Sequence, residues 1–243
     1  MPDIIEPLTP SAFAEALHQA IAPWRFEDTR LHAQLSRSHV RASLLRGFAG
    51  STYLLAANFL GVLATLADQS LDPEARLLLI ENLLEEEGIV LKPSRGFIIR
   101  PEQRHVALAA RFLHACGCDP EALGDVGTTA LSTAGGMELL AQGRWLDAVA
   151  FILIGNELKS GAASAVIVER LRSIGFAERD IAYFQVHIEA DKDHGNQAIA
   201  ILTRLATSRE QQDSAILAAQ AGARAWFSSY GGAVVNRRPA IAA

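Results

Sequence analysis

Residues 179–206 read RDIAYFQVHIEADKDHGNQAIAILTRLA, a stretch with the periodicity of a long amphipathic helix. At about 100° per residue, His187, Asp191 and His194 fall within about 60° of one another on that helix. Glu189, Lys192 and Asp193 point elsewhere. One helical face therefore gathers imidazole, carboxylate and imidazole. Taken alone, the spacing leaves two readings open: a metal-binding face, or the wet side of a surface helix.

The surroundings favour an all-α protein. Ala and Leu dominate, aromatics make up 7% of the chain, and alternating β-branched runs are absent, so helical periodicity has to explain most of the 243 residues. A first helix is expected to start with Thr9 as cap and Pro10 in the first turn and to end near Pro23. A long second helix is expected over 28–67, and a third through PEARLLLIENLLEEEG, with Pro73 near its start and Gly88 at its end. The segment GIVLKPSRGFIIR reads as a loop long enough to be a lid or an insertion. A fourth helix opens at Pro101 and runs to about Cys116. Asp119 to Gln142 reads as broken helix. WLDAVAFILIGNEL is apolar all round, as a helix enclosed by others would be. SAVIVERLRSIG, the stretch quoted first, and REQQDSAILAAQAGARAWFSSYGG complete a bundle of seven to eight helices in a single domain, 1–243, with 1–8 and 236–243 as flexible tails.

The net charge of −5, with no Lys/Arg-rich run, argues against nucleic acid or an anionic membrane as partner. The N-terminus lacks the pattern of a signal peptide, and apolar runs such as AVAFILIG are shorter than a membrane span, so a soluble, cytoplasmic protein is expected. Cys116 and Cys118 are too close for an ordinary disulfide and lack a second pair for zinc, which makes them reduced, structural thiols. Bundles of this size often pair through apolar helix faces, which sets a homodimer as the expected oligomer.

Partner ligands for the His187 face are available. Glu102 and His105, in PEQRH, have the Glu-x-x-His spacing with which bundle di-iron sites chelate a metal. Glu157 ends an apolar run on a face that should be buried, where an unpaired carboxylate is costly; it must find a cation or a metal, or keep its proton. Glu85, Glu86 and Glu87 form an acidic cluster at the end of the third helix. Carboxylate and imidazole without thiolate suit iron or manganese better than structural zinc.

On these residues the chain resembles the heme-oxygenase-like di-iron oxidases, relatives of the thiaminase II and pyrroloquinoline-quinone synthase proteins, over about residues 28–230. AYFQVHIEADKDHG is similar to that family's last ligand helix, His-x3-Asp-x2-His, which implies His187, Asp191 and His194 as ligands. Glu157 stands where the family has a bridging or capping glutamate. ENLLEEEG followed by RHVALAARFLHACG is similar to its junction of third and fourth helices, which implies His105 and either Glu86 or Glu102. The resemblance implies a heme-oxygenase-like fold and Fe(2+), two per chain with the second labile. It also implies O2 and a small amino acid, amine or fatty-acid-like molecule as substrates, with no catalytic residue beyond the ligands. N-oxygenation, desaturation, C–C cleavage and decarboxylation all fall within that chemistry. One departure stands out: many relatives take a further glutamate near the positions of Ser51 and Thr52, yet no acid lies between Leu31 and Ala67. One iron or two therefore stays open. So do a metal-free binding protein and a cofactorless quinone-synthase-like oxidase. Tyr53, Phe59, Leu60 and Phe151 are candidate pocket walls. His18, His32, His39 and His114 read as structural or exposed.

Overall fold

The computed structural model describes residues 6–92, 96–123 and 130–229. Helix α1 (Pro10–Ile21) begins as expected: the Thr9 hydroxyl accepts from Ala12 N–H, and Pro10 opens the first turn. Leu8, inside the expected N-terminal tail, is tied down, since its N–H donates to Gln212 Oε1 at 2.7 Å and its carbonyl accepts from Gln212 Nε2 at 3.1 Å. Of the two expected tails, residues 1–5 and 236–243 lie outside the described residues.

The long second helix expected over 28–67 is two helices, α2 (Arg30–Leu35) and α3 (Ala42–Gln69). Thr29 caps the first, and Ser36 ends it by turning its hydroxyl onto the His32 carbonyl at 2.9 Å. Short polar side chains bond locally to the backbone and compete with helix continuation, and the SRSH run supplies several of them. Helix α4 (Pro73–Glu86) matches its expected bounds, with Asp72 as cap.

The expected loop after α4 contains a hairpin, β1 (Ile89–Lys92) and β2 (Gly96–Ile99), paired antiparallel with Ile89 opposite Ile99 and Leu91 opposite Phe97. Its branched and aromatic residues favour extended backbone. Residues 93–95 lie outside the described ones. Gly88 makes the entry turn at φ 67°, and a side chain there would stand 2.5 Å from the Arg100 carbonyl. Past a 3-10 turn (Pro101–Gln103), α5 (His105–Ala115) starts four residues later than expected.

Within the stretch expected as broken helix, Ala130–Ala141 form α6 and carry TAGG inside it; 124–129 are outside the described residues. Glycines 135 and 136 are tolerated because the side chains of Phe151 and Ile152 fill the space their own would occupy. The apolar WLDAVAFILIGNEL opens as α7 (Trp145–Val149), passes into a π-helical segment (Ala150–Glu157) and continues as α8 (Leu158–Ser173). All eight residues of the π segment are buried. Helices α9 (Ala182–Leu205) and α10 (Arg209–Ser229) follow.

One core cluster gathers around the π segment, with Phe13, Leu17, Leu63 and Leu202; the other is built on Phe48, Phe112, Phe184 and Phe227. Two helical stretches, Ala42–Gln69 and Trp145–Ser173, are long and apolar enough to cross a membrane, contrary to the sequence-based expectation that apolar runs were too short. In their most apolar windows 50% and 67% of residues are buried inside the bundle, as core helices require.

Candidate metal centre

Four elements bring the expected side chains together. Glu86 is the last residue of α4, His105 the first of α5, and Glu157 the last of the π segment, while His187, Asp191 and His194 line one face of α9. All six are buried. The clamp at the foot of the hairpin explains the first pairing. Arg100 N–H bonds the Gly88 carbonyl at 2.9 Å, and Arg104 grips Glu87 through two contacts of 2.8 and 3.1 Å. With the foot closed, α5 starts beside the end of α4, and His105 Nδ1 lies 2.7 Å from Glu86 Oε2. Glu102 is not brought to the cluster. It is exposed on the 3-10 turn, where its carbonyl accepts from Arg111 at 3.4 Å. Glu102 and His105 do not share a helix, so the Glu-x-x-His spacing does not put them on one face.

Close approach of α8 and α9 sets the other side. A side chain on Gly161 would meet the Ile188 carbonyl at 2.9 Å and that of His187 at 3.1 Å, and one on Gly195 would meet Leu158 Cα at 3.0 Å. Both glycines therefore let the ligand helix lie against the backbone of α8. The π segment then delivers Glu157 within 3.5 Å of His194 Nδ1. Single π-helical stretches recur at functional sites, because the extra residue re-aims the side chains that follow it.

Glu86, His105 and His187 offer ligand atoms that all lie within 4.8 Å of one another. His187 Nδ1 donates to the Tyr183 carbonyl at 2.6 Å, which fixes the ring and leaves Nε2 as the basic nitrogen. Asn82 donates to both oxygens of Glu157, at 3.4 and 3.3 Å. His194 Nε2 donates to Glu85 Oε2 at 3.1 Å, and Glu85 is half-exposed. The three consecutive glutamates thus have three different partners: His194, His105 and Arg104.

Burial pushes Glu157 up to about 8 and raises Asp191 as well. For Glu86 burial acts in the same direction, but the charge and hydrogen bond of His105 together with the charges of His187 and His194 outweigh it and hold the carboxyl below its ordinary value. Burial disfavours the charged form of His194, yet the Glu85 hydrogen bond and the charge of Glu157 lift it to about 9. Asp191 Oδ2 and His194 Nδ1 are buried without a hydrogen-bond partner. Each such orphan costs about 1–3 kcal/mol, which a bound cation would offset. The six side chains fit a metal, and their oxygen and imidazole chemistry is that of iron or manganese.

A narrow cavity of about 30 Å³ opens onto the cluster, room for one or two waters. Its apolar wall is Leu55, Ala56, Phe59 and Trp226. Phe59 was expected there; Tyr53, Leu60 and Phe151 do not line it, and Phe151 packs instead against α6 and α10. Helix α3 turns an apolar face to the cavity, and the Thr52 hydroxyl is spent on the Phe48 carbonyl at 3.0 Å. Asn82 sits one helical turn before Glu86, a spacing that could have marked it in the sequence. Glu85 gave no signal apart from its neighbours. Cys116 ends α5 half-buried, and burial pushes its thiol up to about 12, so it is no nucleophile at neutral pH.

Two chlamydial proteins named 4-aminobenzoate synthase are similar to the chain. The one from Chlamydia muridarum is 27% identical over 199 residues, covering 76% of this chain and 74% of the relative. The one from Chlamydia trachomatis is 26% identical over 188 residues, covering 72% of each. A TenA homolog from Pseudomonas syringae pv. tomato superposes with a TM-score of 0.72 at 16% identity, covering 94% of this chain and 98% of its own, which shows a shared heme-oxygenase-like fold. Residues 46–227, the span that carries all six buried side chains, match the family described as "Iron-containing redox enzyme", and the chain belongs to that family.

Proposed function

We propose that the chain is an O2-dependent non-heme iron oxidase or oxygenase of a small amino acid, amine or fatty-acid-like molecule, with Glu86, His105, Glu157, His187, Asp191 and His194 as ligands for two ferrous ions. The observation that carries this is the convergence of three carboxylates and three imidazoles, all buried, with Asp191 Oδ2 and His194 Nδ1 left without a hydrogen bond. Bound iron would supply the electrons and the open positions for dioxygen. The chain supplies the rest. Tyr183 orients His187 through its carbonyl, Asn82 holds Glu157, and Glu85 holds His194. Leu55, Ala56, Phe59 and Trp226 keep bulk water from the reacting side. Glu85, hydrogen-bonded to His194 and half-exposed, gives protons a path between solvent and the cluster. The wall that α3 gives the cavity, Leu55, Ala56 and Phe59, carries no acid, which leaves that flank of the centre to substrate.

Anaerobic loading with ferrous iron, followed by an oxygen pulse, tests the reading. The expected result is one to two irons per chain, a transient visible band after oxygen, and loss of iron in His187→Ala. Less than one iron per chain, no band, and no effect of His187→Ala would refute it. The name borne by the two chlamydial relatives supports a narrower reading, formation of 4-aminobenzoate, which the same reaction mixtures test by product analysis.

A further inference from the structure

Asn156 precedes Glu157 on the π segment, lines the cavity and is 3% exposed, and neither its carboxamide nitrogen nor its oxygen has a hydrogen-bond partner. Buried carboxamides are almost always satisfied, and leaving one bare on both atoms costs the desolvation of a donor and of an acceptor. Its neighbour Asn82 shows the contrast, since it donates to Glu157. Asn156 is therefore held ready for a visitor that brings both an acceptor and a donor.

We infer that Asn156 is a specificity-determining residue that reads the amino group of an α-amino-acid substrate with Oδ1 and its carboxylate with Nδ2; this rests on the reading of the site as an iron oxidase. The chemistry discriminates among the substrate classes of that reading. A fatty acid offers a carboxylate and no N–H, so it leaves Oδ1 bare. A simple amine leaves Nδ2 without an acceptor. An amino-acid head satisfies both. The cavity is too small for the body of a substrate; its room for one or two waters matches the ammonium and the carboxylate oxygen that would take their place, and Leu55, Ala56 and Phe59 put apolar surface beside them. A site built to hydrogen-bond a substrate group rejects the analogue that lacks it strongly, because its own polar group is then buried unpaired.

The test uses manganese-loaded full-length protein, so that probes are bound but not oxidised, with norleucine, hexanoate and hexylamine titrated by calorimetry. Wild type is expected to bind norleucine at least about ten-fold more tightly than either analogue. Asn156→Leu, similar in volume, should lower norleucine affinity about ten-fold, lower hexanoate affinity less because only the Nδ2 contact is lost, and leave manganese affinity unchanged. Without probe, this variant should melt at or above the wild-type temperature, because two orphaned polar atoms are gone. Asn156→Ala should show the same selective loss should the Leu variant fail to fold. Equal binding of the three probes by wild type, binding of none, or equal losses in the variants would overturn the inference. So would a Leu variant that melts lower with unchanged norleucine affinity, which would mean that water satisfies Asn156. Failure of wild type to take up manganese or iron would instead count against the metal centre itself, and the metal titration reads this separately.

Discussion

Replacing Gly222 with alanine should damage the iron centre without touching a ligand. Gly222 lies on α10 where that helix packs on the π segment. A methyl group there would collide with the Phe151 carbonyl oxygen and stand 2.8 Å from the carbonyl carbon. The opposing Gly155 is equally close, since its own methyl would lie 2.7 Å from Gly222 Cα. Cβ atoms essentially never approach within 3.0 Å of such backbone atoms, so α10 or the π segment has to move. Overpacking of this kind costs about 1–3 kcal/mol, and the better helix propensity of alanine returns up to about 1 kcal/mol. The net loss is about 1–2 kcal/mol, a fall in thermal midpoint of about 2–8 °C for a chain of this size. Glu157 follows Gly155 by two residues, so the shift also reaches the cluster, and ferrous iron per chain should fall with it. Gly61→Ala is the control. It lies on an exposed part of α3 where an added methyl meets nothing within 4 Å, and it should raise the midpoint through the same propensity gain while leaving iron unchanged. Thermal unfolding and metal analysis of the two variants decide the matter. A Gly222→Ala protein that melts at or above wild type with full iron would refute the account of how the π segment is held.

Two further outcomes are expected. Glu86→Ala should remove iron, because it strips a buried carboxylate 2.7 Å from His105, whereas Glu102→Ala should leave iron stoichiometry at the wild-type value; metal analysis of the reverse pattern would return the ligand role to Glu102. Asp72 caps α4 and is held down to about 2, first by its hydrogen bonds with Arg204 and then by Ala75 N–H. A depressed carboxyl stabilises the fold above its unfolded value, near 3.8, and loses that contribution as pH falls toward about 2. The difference in thermal midpoint between wild type and Asp72→Asn should therefore be full at pH 6 and vanish between about pH 4 and pH 2. A difference independent of pH would show that the ion pair contributes nothing.

What could be read from the chain, and what could not, follows from the range over which each interaction is set. His187, Asp191 and His194 share a helix, so their common face is fixed by 3.6-residue geometry and was legible directly. Glu157 was legible for a different reason: an ionisable group closing an apolar run has to be explained by whatever it meets. The choice between Glu86 and Glu102 depends on a hairpin and on the Arg104–Glu87 clamp at its foot, long-range contacts with no local periodicity. The break between α2 and α3 turns on hydroxyl groups competing for carbonyls, a balance of small energies that an apolar stripe conceals. The same limit hid the individual fates of Glu85, Glu86 and Glu87. In sequence they are one acidic run; on α4 successive residues point about 100° apart, so each reaches a different neighbour. One therefore holds His194 from the half-exposed side, one pairs with His105 inside the cluster, and one locks the hairpin that brings His105 into place. A substitution in that run is predicted to act through iron affinity at 86, through the orientation of His194 at 85, and through the register of α5 at 87, although the three side chains are chemically identical.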